Sequence, residues 1–339
     1  MRNLSIVVPC YNEQEVLPET CRRLVEVLTK LEDAGRVSAA SRIYFVDDGS
    51  RDRTWALIES FVEQGLPVVG VKLSRNRGHQ NALLAGLFAA DGDAIVSVDA
   101  DLQDDLGAIE KMLDHFEASC DVVYGVRRRR DSDPAFKRTT AEAFYRLMNW
   151  FGAETVFNHA DYRLLSRRAV DALKEFREVN LFLRGIVPLI GFRSAIVEYD
   201  RVARFAGESK YPLRRMISLS LNAITSFSVT PLRIISAIGL IVSSASALLG
   251  MWVLAVALFT DRTIAGWAST VLPIYFLGGI QLLSLGVIGE YVGKIYMETK
   301  ARPRFVIEAI VARMSNVAPP GDEPYPLNES VRMPRPQVA

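Results

Sequence analysis

Between Ile234 and Phe259 the chain runs 26 residues without a charged side chain, and between Thr263 and Gly289 another 27. Only Thr260, Asp261 and Arg262 separate them. A bilayer core takes roughly 20 apolar residues in helical form, so each run is long enough to span with some tilt. Two helices buried in one large soluble core would share this composition, but two such runs joined so tightly read as a membrane hairpin. The flanks orient it: Arg214, Arg215 and Arg233 precede the first run, and Lys294, Lys300, Arg302 and Arg304 follow the second. Positive charge stays on the cytoplasmic side, so both ends are expected in the cytosol, on the inner (plasma) membrane. Just before the hairpin, "YPLRRMISLSLNAITSFSV" mixes arginine with spaced Leu, Ile, Met and Phe, the pattern of a helix lying in the interface. The expected organisation is therefore a cytosolic domain over 1–212, an amphipathic interfacial helix over 213–230, and transmembrane helices over 231–259 and 263–293. A cytosolic juxtamembrane segment follows over 294–316, then a Pro-rich disordered tail over 317–339.

The first ~130 residues follow a different rule. "LSIVV" (4–8), "RIYFV" (42–46), "PVVGVKL" (67–73), "DAIVSV" (93–98) and "DVVYG" (121–125) are short, nearly continuous apolar runs. Longer segments between them carry apolar residues at helical spacing, as with Ile109, Met112, Leu113 and Phe116. Strands alternating with helices predict an α/β domain with a mostly parallel sheet covered on both faces. Ligands of such sheets bind beyond the carboxyl ends of the strands, and three of these ends carry unusual chemistry: "PCYNE", "VDDGS" and "VDADLQDD". With 40 Lys and Arg against 39 Asp and Glu the net charge is +1, so bulk charge points to no nucleic-acid partner. The three cysteines, Cys10, Cys21 and Cys120, have neither paired nor metal-ligand spacing and are expected to be buried thiols. The short apolar run of "MRNLSIVVPCYNE" leads straight into charge and does not read as a signal peptide.

Asp99 and Asp101 are two apart at a strand end, so their carboxylates share one side of the chain. Paired oxygen ligands followed by Gln103 and Asp104 suit Mg²⁺ or Mn²⁺, although a solvated acidic turn would read the same. Asp47 and Asp48 fit equally a turn, with Ser50 or Asp52 capping the next helix, or a site that hydrogen-bonds a base or ribose. Neither a "GxxxxGK[ST]" loop nor a "GxGxxG" after the first strand is present, which disfavours P-loop kinases and dinucleotide dehydrogenases. His79, after Gly78 at a helix start, reads first as a local packing residue. The arginines at 127–130, Arg138, Arg204 and Lys210 are the kind of groups that neutralise phosphate.

"VVPCYNE", "VDDGS", "DADLQD", "NHADYRLLSRR" and "RFAGESKYPL", followed by the two apolar runs, resemble the polyprenyl-phosphate glycosyltransferases. These form part of glycosyltransferase family two, with the GT-A fold, and the likeness is strongest to the bactoprenol glucosyltransferase branch with two C-terminal membrane helices. The resemblance spans residues 3 to 305. It implies that Pro9, Tyr11 and Glu13 with Asp47 and Asp48 hold the nucleoside, and that Asp99, Asp101 and Gln103 form the metal and diphosphate site. It further implies that Arg204 and Lys210 close over the donor phosphates, with Arg127 and Arg138 as candidates for the acceptor phosphate. Asp161 matches the family's carboxylate near the acceptor, though an ion pair with Arg163 or another arginine would equally explain it.

The implied reaction is inverting, metal-dependent transfer of a sugar from a nucleotide donor to polyprenyl (undecaprenyl) phosphate, with UDP-glucose the first choice of donor. UDP-N-acetylglucosamine, UDP-galactose, a modified pentose donor and GDP-mannose stay open, as does a membrane scaffold or transport protein with a nucleotide-sugar sensing domain. Small residues such as Gly278, Gly279, Gly286, Gly289 and Gly293 would suit helix–helix contacts, and relatives of this kind suggest a homotetramer.

Overall fold

The computed structural model describes residues 2–128, 159–179, 182–200, 230–259 and 267–313. Arg138, Arg204, Lys210, the expected interfacial helix up to residue 229 and the tail 317–339 lie outside the described residues.

The elements follow the alternation expected for the N-terminal half: β1 (Leu4–Cys10), α1 (Leu17–Asp33), β2 (Arg42–Asp47), α2 (Thr54–Glu63), β3 (Val68–Leu73), α3 (His79–Ala89), β4 (Ala94–Ser97), α4 (Ala108–Glu117) and β5 (Val122–Arg127). Then come β6 (His159–Ser166), α5 (Arg167–Lys174), α6 (Leu183–Leu189) and β7 (Ser194–Tyr199). Two long helices, α7 (Thr230–Phe259) and α8 (Trp267–Thr299), precede a last strand, β8 (Ile307–Ala312).

The eight strands among the described residues form one sheet in the order β7-β5-β6-β4-β1-β2-β3-β8. The β1–β2, β1–β4, β2–β3 and β5–β7 ladders are parallel, while β6 runs antiparallel to both β4 and β5 and β8 antiparallel to β3. The sheet is thus mixed, with an antiparallel strand inserted beside β4, and β6, β7 and β8 are additions to the five strands expected from sequence. β8 falls in the segment expected to be juxtamembrane. Its "IEAIVA" alternates half-buried and exposed side chains, the period-2 signature of an edge strand.

Helices cover both faces, as expected. On one, α1 buries Leu17, Cys21, Leu24, Leu28 and Leu31 at alternating spacings of four and three, and α4 buries Ile109, Met112 and Leu113. On the other, α3 buries every residue from Ala82 to Leu87, because it is packed between the sheet and the α5–α6 layer. Each such leucine is worth about 1.5–3 kcal/mol relative to exposure. Gly86 lets α3 approach this closely: a Cβ there would lie 2.4 Å from Val7 and 2.6 Å from Val46. The three cysteines are buried free thiols, as expected.

The two apolar runs are helical, with the second beginning at Trp267 and extending to Thr299, beyond the expected end at 293. Among the described residues one helical stretch, Phe276–Thr299, is long and apolar enough to cross a membrane, and none of it is buried. Where α8 ends it meets the sheet domain: the Glu298 carboxylate accepts from the Val179 amide at 3.0 and 2.8 Å, and Arg304 donates to the Phe176 carbonyl.

Candidate active site

The acidic loop after β4 is built by backbone constraints as much as by charge. The Thr20 hydroxyl donates to the Ala100 carbonyl at 2.8 Å, and Asp101 accepts from the Gln103 amide at 3.2 Å. Leu102 between them has φ +56° and a buried side chain, an uncommon conformation for a branched residue that burial holds in place. Asp99 and Asp104 flank this bend. Burial, reinforced by Asp161 and Asp101, raises the Asp99 pKa, with His79 opposing. Asp104 is pushed up to about 6, first by burial and then by Asp99. The Tyr199 hydroxyl donates to Asp104 at 2.6 Å, and Arg127 lies 3.9 Å from the same oxygen. Arg127, expected at the acceptor phosphate, therefore stands beside the acidic loop in this state, its Nε donating to Tyr199 at 3.3 Å.

Asp161 reaches the same region from β6, the antiparallel neighbour of β4. Because side chains alternate along a strand, Asp161 and Arg163 face the same side, and Arg163 donates to Asp161 at 2.5 Å. Arg184 from α6 forks onto the same carboxylate at 3.3 and 3.1 Å. Burial alone would raise the Asp161 pKa, but Arg184 and Arg163, with His79, hold it far below the usual carboxylate range. The ion pair that was one reading of Asp161 is present, with two arginines. His79 stands between the two carboxylates, its Nε2 3.5 Å from Asp99 and 3.8 Å from Asp161. Local packing does not describe it: Gly78, at φ +87°, turns the chain so that α3 begins with His79 at the site.

The expected nucleoside residues divide into two kinds. Tyr11 is exposed and lines a cleft of about 360 Å³ with Gly49, Ser50, Arg51, Lys72, Ser74, Arg75, Asn76 and Glu308. Pro9, Asp47 and Asp48 are buried beneath it. Asp48 accepts from the Arg77 and Gly78 amides at 2.7 and 2.9 Å, which ties the loop before α3 to the end of β2. Asp47 accepts from the Ser50 amide at 3.2 Å. Burial raises both carboxyls and these amide bonds oppose it. Gly49 has φ +67°, and a Cβ there would lie 2.6 Å from the Asn76 nitrogen, so this turn needs glycine. Of the two capping candidates, Asp52 accepts from the Thr54 amide at 3.0 Å, while Ser50 accepts instead from Asn12 at 3.0 Å. Glu13 is half-buried, its amide donating to Thr54 at 2.9 Å.

Sequence reasoning missed Arg184, Tyr199 and Glu308. Arg184 lies in "LFLRGIVPLIGF", where one arginine in an apolar run was the only signal. Glu308 pairs with Lys72 at 2.9 Å at the rim of the cleft, which requires β8 to fold back onto β3.

The donor set after β4 fits a hard divalent cation. Asp99, Asp101 and Gln103 offer only oxygen ligands, and the buried Asp104 Oδ2 has no hydrogen-bond partner among the described residues. No group of three His, Cys, Asp or Glu among the described residues closes around an ion. A Mg²⁺-type site that takes one or two carboxylates and completes its shell with substrate phosphates and water needs no such cage.

Residues 5–174 match the model of glycosyl transferase family 2. The uncharacterized glycosyltransferase YkoT of Bacillus subtilis is 50% identical over 307 residues, covering 90% of this chain and 91% of that one. The prophage bactoprenol glucosyl transferase homolog of Escherichia coli K12 is 39% identical over 311 residues, with 91% and 99% covered. The bactoprenol glucosyl transferase of Shigella phage SfX is 39% identical over 310 residues, with 90% and 99% covered.

Proposed function

The chain belongs to glycosyltransferase family 2 and is a glycosyltransferase, and from that premise we propose that it moves a sugar from a nucleotide diphosphate donor to a polyprenyl phosphate at the cytosolic membrane face. The observation that carries this reading is a meeting of two features. The sheet end that gathers Asp99, Asp101, Asp161 and His79 is joined, through the Glu298–Val179 contact, to the end of a helix long enough to cross a membrane. An acceptor whose reactive group is a phosphate and whose tail stays in the bilayer needs a site at that plane.

Chain parity supports a hairpin of two crossings. β7, before the helices, and β8, after them, lie in one sheet, so a crossing by α8 requires a second crossing between Tyr199 and Phe276. Among the described residues the helix available is α7, 30 residues long, which holds Leu240, Ile241, Leu248, Trp252 and Phe259 exposed. Both ends then face the same side as the sheet, in keeping with the positive flanks. On α8, Gly278, Gly286, Gly289 and Gly293 leave open space where a Cβ would stand, which accommodates the suspected tetramer.

The chemistry asks little of a base. A phosphate monoester has a second pKa of about 6, so the acceptor oxygen is already anionic near neutrality. The work is in-line positioning and charge compensation at the departing diphosphate. The cleft at Tyr11 and Gly49 takes the nucleoside, with Asp48 bracing its floor and Arg204 and Lys210 assigned to the donor phosphates. Asp99, Asp101 and Gln103 would hold Mg²⁺ or Mn²⁺, which would neutralise the diphosphate. Asp161 stays ionised and organises the arginines around it, an electrostatic scaffold in place of a base. Arg138 keeps its assignment at the acceptor phosphate, and Arg127 reaches it by leaving Tyr199 and Asp104. A single displacement from an α-linked donor yields a β-linked lipid phosphosugar; glucose from UDP-glucose is the first donor to try.

The test is transfer of label from a panel of nucleotide sugars into undecaprenyl phosphate, with Mg²⁺ or Mn²⁺ and an EDTA control. Metal-dependent labelling of the lipid by one donor is the expected result. Nucleotide binding without labelling by any donor would remove the assigned acceptor.

A further inference from the structure

Asp161 brings two arginines together, and they are not equivalent. Arg163 is sealed in the core with its side chain 1% exposed, and its Nη1 also donates to the Leu183 carbonyl at 3.4 Å. Arg184, on the same carboxylate, has a side chain 36% exposed. Two guanidiniums share this one carboxylate, and the one that faces solvent is Arg184.

The first turn of α6 is also tethered. The Leu183 amide donates to Gln80 Oε1 at 3.0 Å, fixing it to α3 next to His79, and Val179, shortly before it, is held by Glu298 at the end of α8. Arg184 thus stands where the apolar helix meets the sheet domain, beside the carboxylates of the reaction site. An anion presented from the membrane headgroup plane would meet this arginine.

We propose that Arg184 is a ligand of the acceptor phosphate, held on Asp161 until the lipid arrives; this rests on the reading of the acceptor as a polyprenyl phosphate. The exchange breaks no covalent bond. Arg184 shifts its fork from a carboxylate shared with Arg163 to a phosphate carrying up to two charges, a geometry that guanidinium matches bidentately. Arg163 stays on Asp161, so no buried carboxylate is stranded. Asp161 then serves to keep Arg184 extended and ordered, reducing what must be organised when the lipid binds.

The experiment uses the full chain in nanodiscs: wild type, Arg184→Gln and Arg184→Lys. Steady-state transfer is measured with undecaprenyl phosphate and the active nucleotide sugar varied separately, and binding of undecaprenyl phosphate without donor is measured by native mass spectrometry. Arg184→Gln is expected to raise the lipid KM about tenfold or more, as for a lost charge-assisted hydrogen bond, and to weaken lipid binding without donor. The donor KM should stay within about twofold. Arg184→Lys should recover part of the lipid affinity, because the charge is kept and the fork is lost. A lipid KM unchanged in both variants, with the loss confined to kcat, would overturn the proposal and leave Arg184 as a positioning residue for Asp161. A rise confined to the donor KM would also overturn it. If Arg184→Gln fails to fold, Arg184→Lys decides alone: a raised lipid KM supports the proposal and an unchanged one removes it. Failure of the wild type to label any lipid phosphate is a different outcome, which sinks the acceptor reading itself.

Discussion

Asp104 is buried and Asp161 nearly so, both within reach of Asp99, yet their surroundings push them in opposite directions. Asp161 meets Arg163 and Arg184 and is held ionised far below the usual range. Asp104 meets a tyrosine hydroxyl at 2.6 Å and an arginine only at 3.9 Å, with Asp99 adding negative charge, and it rises to about 6. Burial penalises both equally in kind, so the contrast comes from the distance and number of cations. One carboxylate is held ionised by the arginines it organises; the other, with no cation so close, has its pKa pushed up to about 6.

The largest effect should come from the loop itself. Asp99→Asn or Asp101→Asn is expected to lower metal-dependent turnover by about a hundredfold or more with the fold unchanged by circular dichroism; retained activity in either would take the metal assignment away from this loop. Next, Asp161→Asn leaves the Arg163 charge buried without its carboxylate, which should cost roughly 3–5 kcal/mol of stability in chemical denaturation. A variant as stable as wild type would mean that the Asp161 side of the contrast is not structural.

Asp104 sharpens the comparison through pH. Its folded pKa lies above the unfolded carboxylate value of 3.8, so its favourable contribution is complete below the unfolded pKa. That contribution is lost as pH rises from about 4 to about 6, a change of about 3 kcal/mol. Asp161, with its pKa lowered, gives the opposite sign: its contribution is present above the unfolded carboxylate value and is lost progressively as pH falls below it. Stability of the metal-free chain followed from pH 4 to 7 should therefore fall less steeply between about pH 4 and 6 in Asp104→Asn; an unaltered profile would assign the titration elsewhere. The smaller effects concern the cleft lined by Tyr11, Gly49 and Glu308. Gly49→Ala combines φ +67° with a backbone clash and should cost about 1–3 kcal/mol and weaken nucleotide binding in calorimetry. Glu308→Gln breaks an exposed pair with Lys72 and should change stability by less than about 1 kcal/mol, so a large loss would show that β8 depends on that pair.

The parts of this molecule that were legible before folding are those whose signal is local. Apolar runs at 4–8, 42–46, 67–73, 93–98 and 121–125 became β1 to β5 because central strands covered on both faces need continuous apolar sequence. Helical spacing in α1 and α4 identified the buried faces in advance. β6, β7 and β8 were harder. "HADYRLLS" carries two charges that a buried strand tolerates only because Arg163 and Asp161 neutralise each other, and β7 and β8 are edge strands with half their residues exposed.

The acidic loop, the charge-free helices and the alternation of strand and helix were determined by sequence alone, because each depends on residues close in the chain. The placement of Arg184 on Asp161, of His79 between two carboxylates, of Arg127 on Asp104 and of Glu308 at the Tyr11 cleft was decided only by tertiary structure. Those contacts join residues 20 to 236 positions apart. Their energy comes from charges made strong by shared burial, and burial is a property that no stretch of sequence has until the sheet has closed over it.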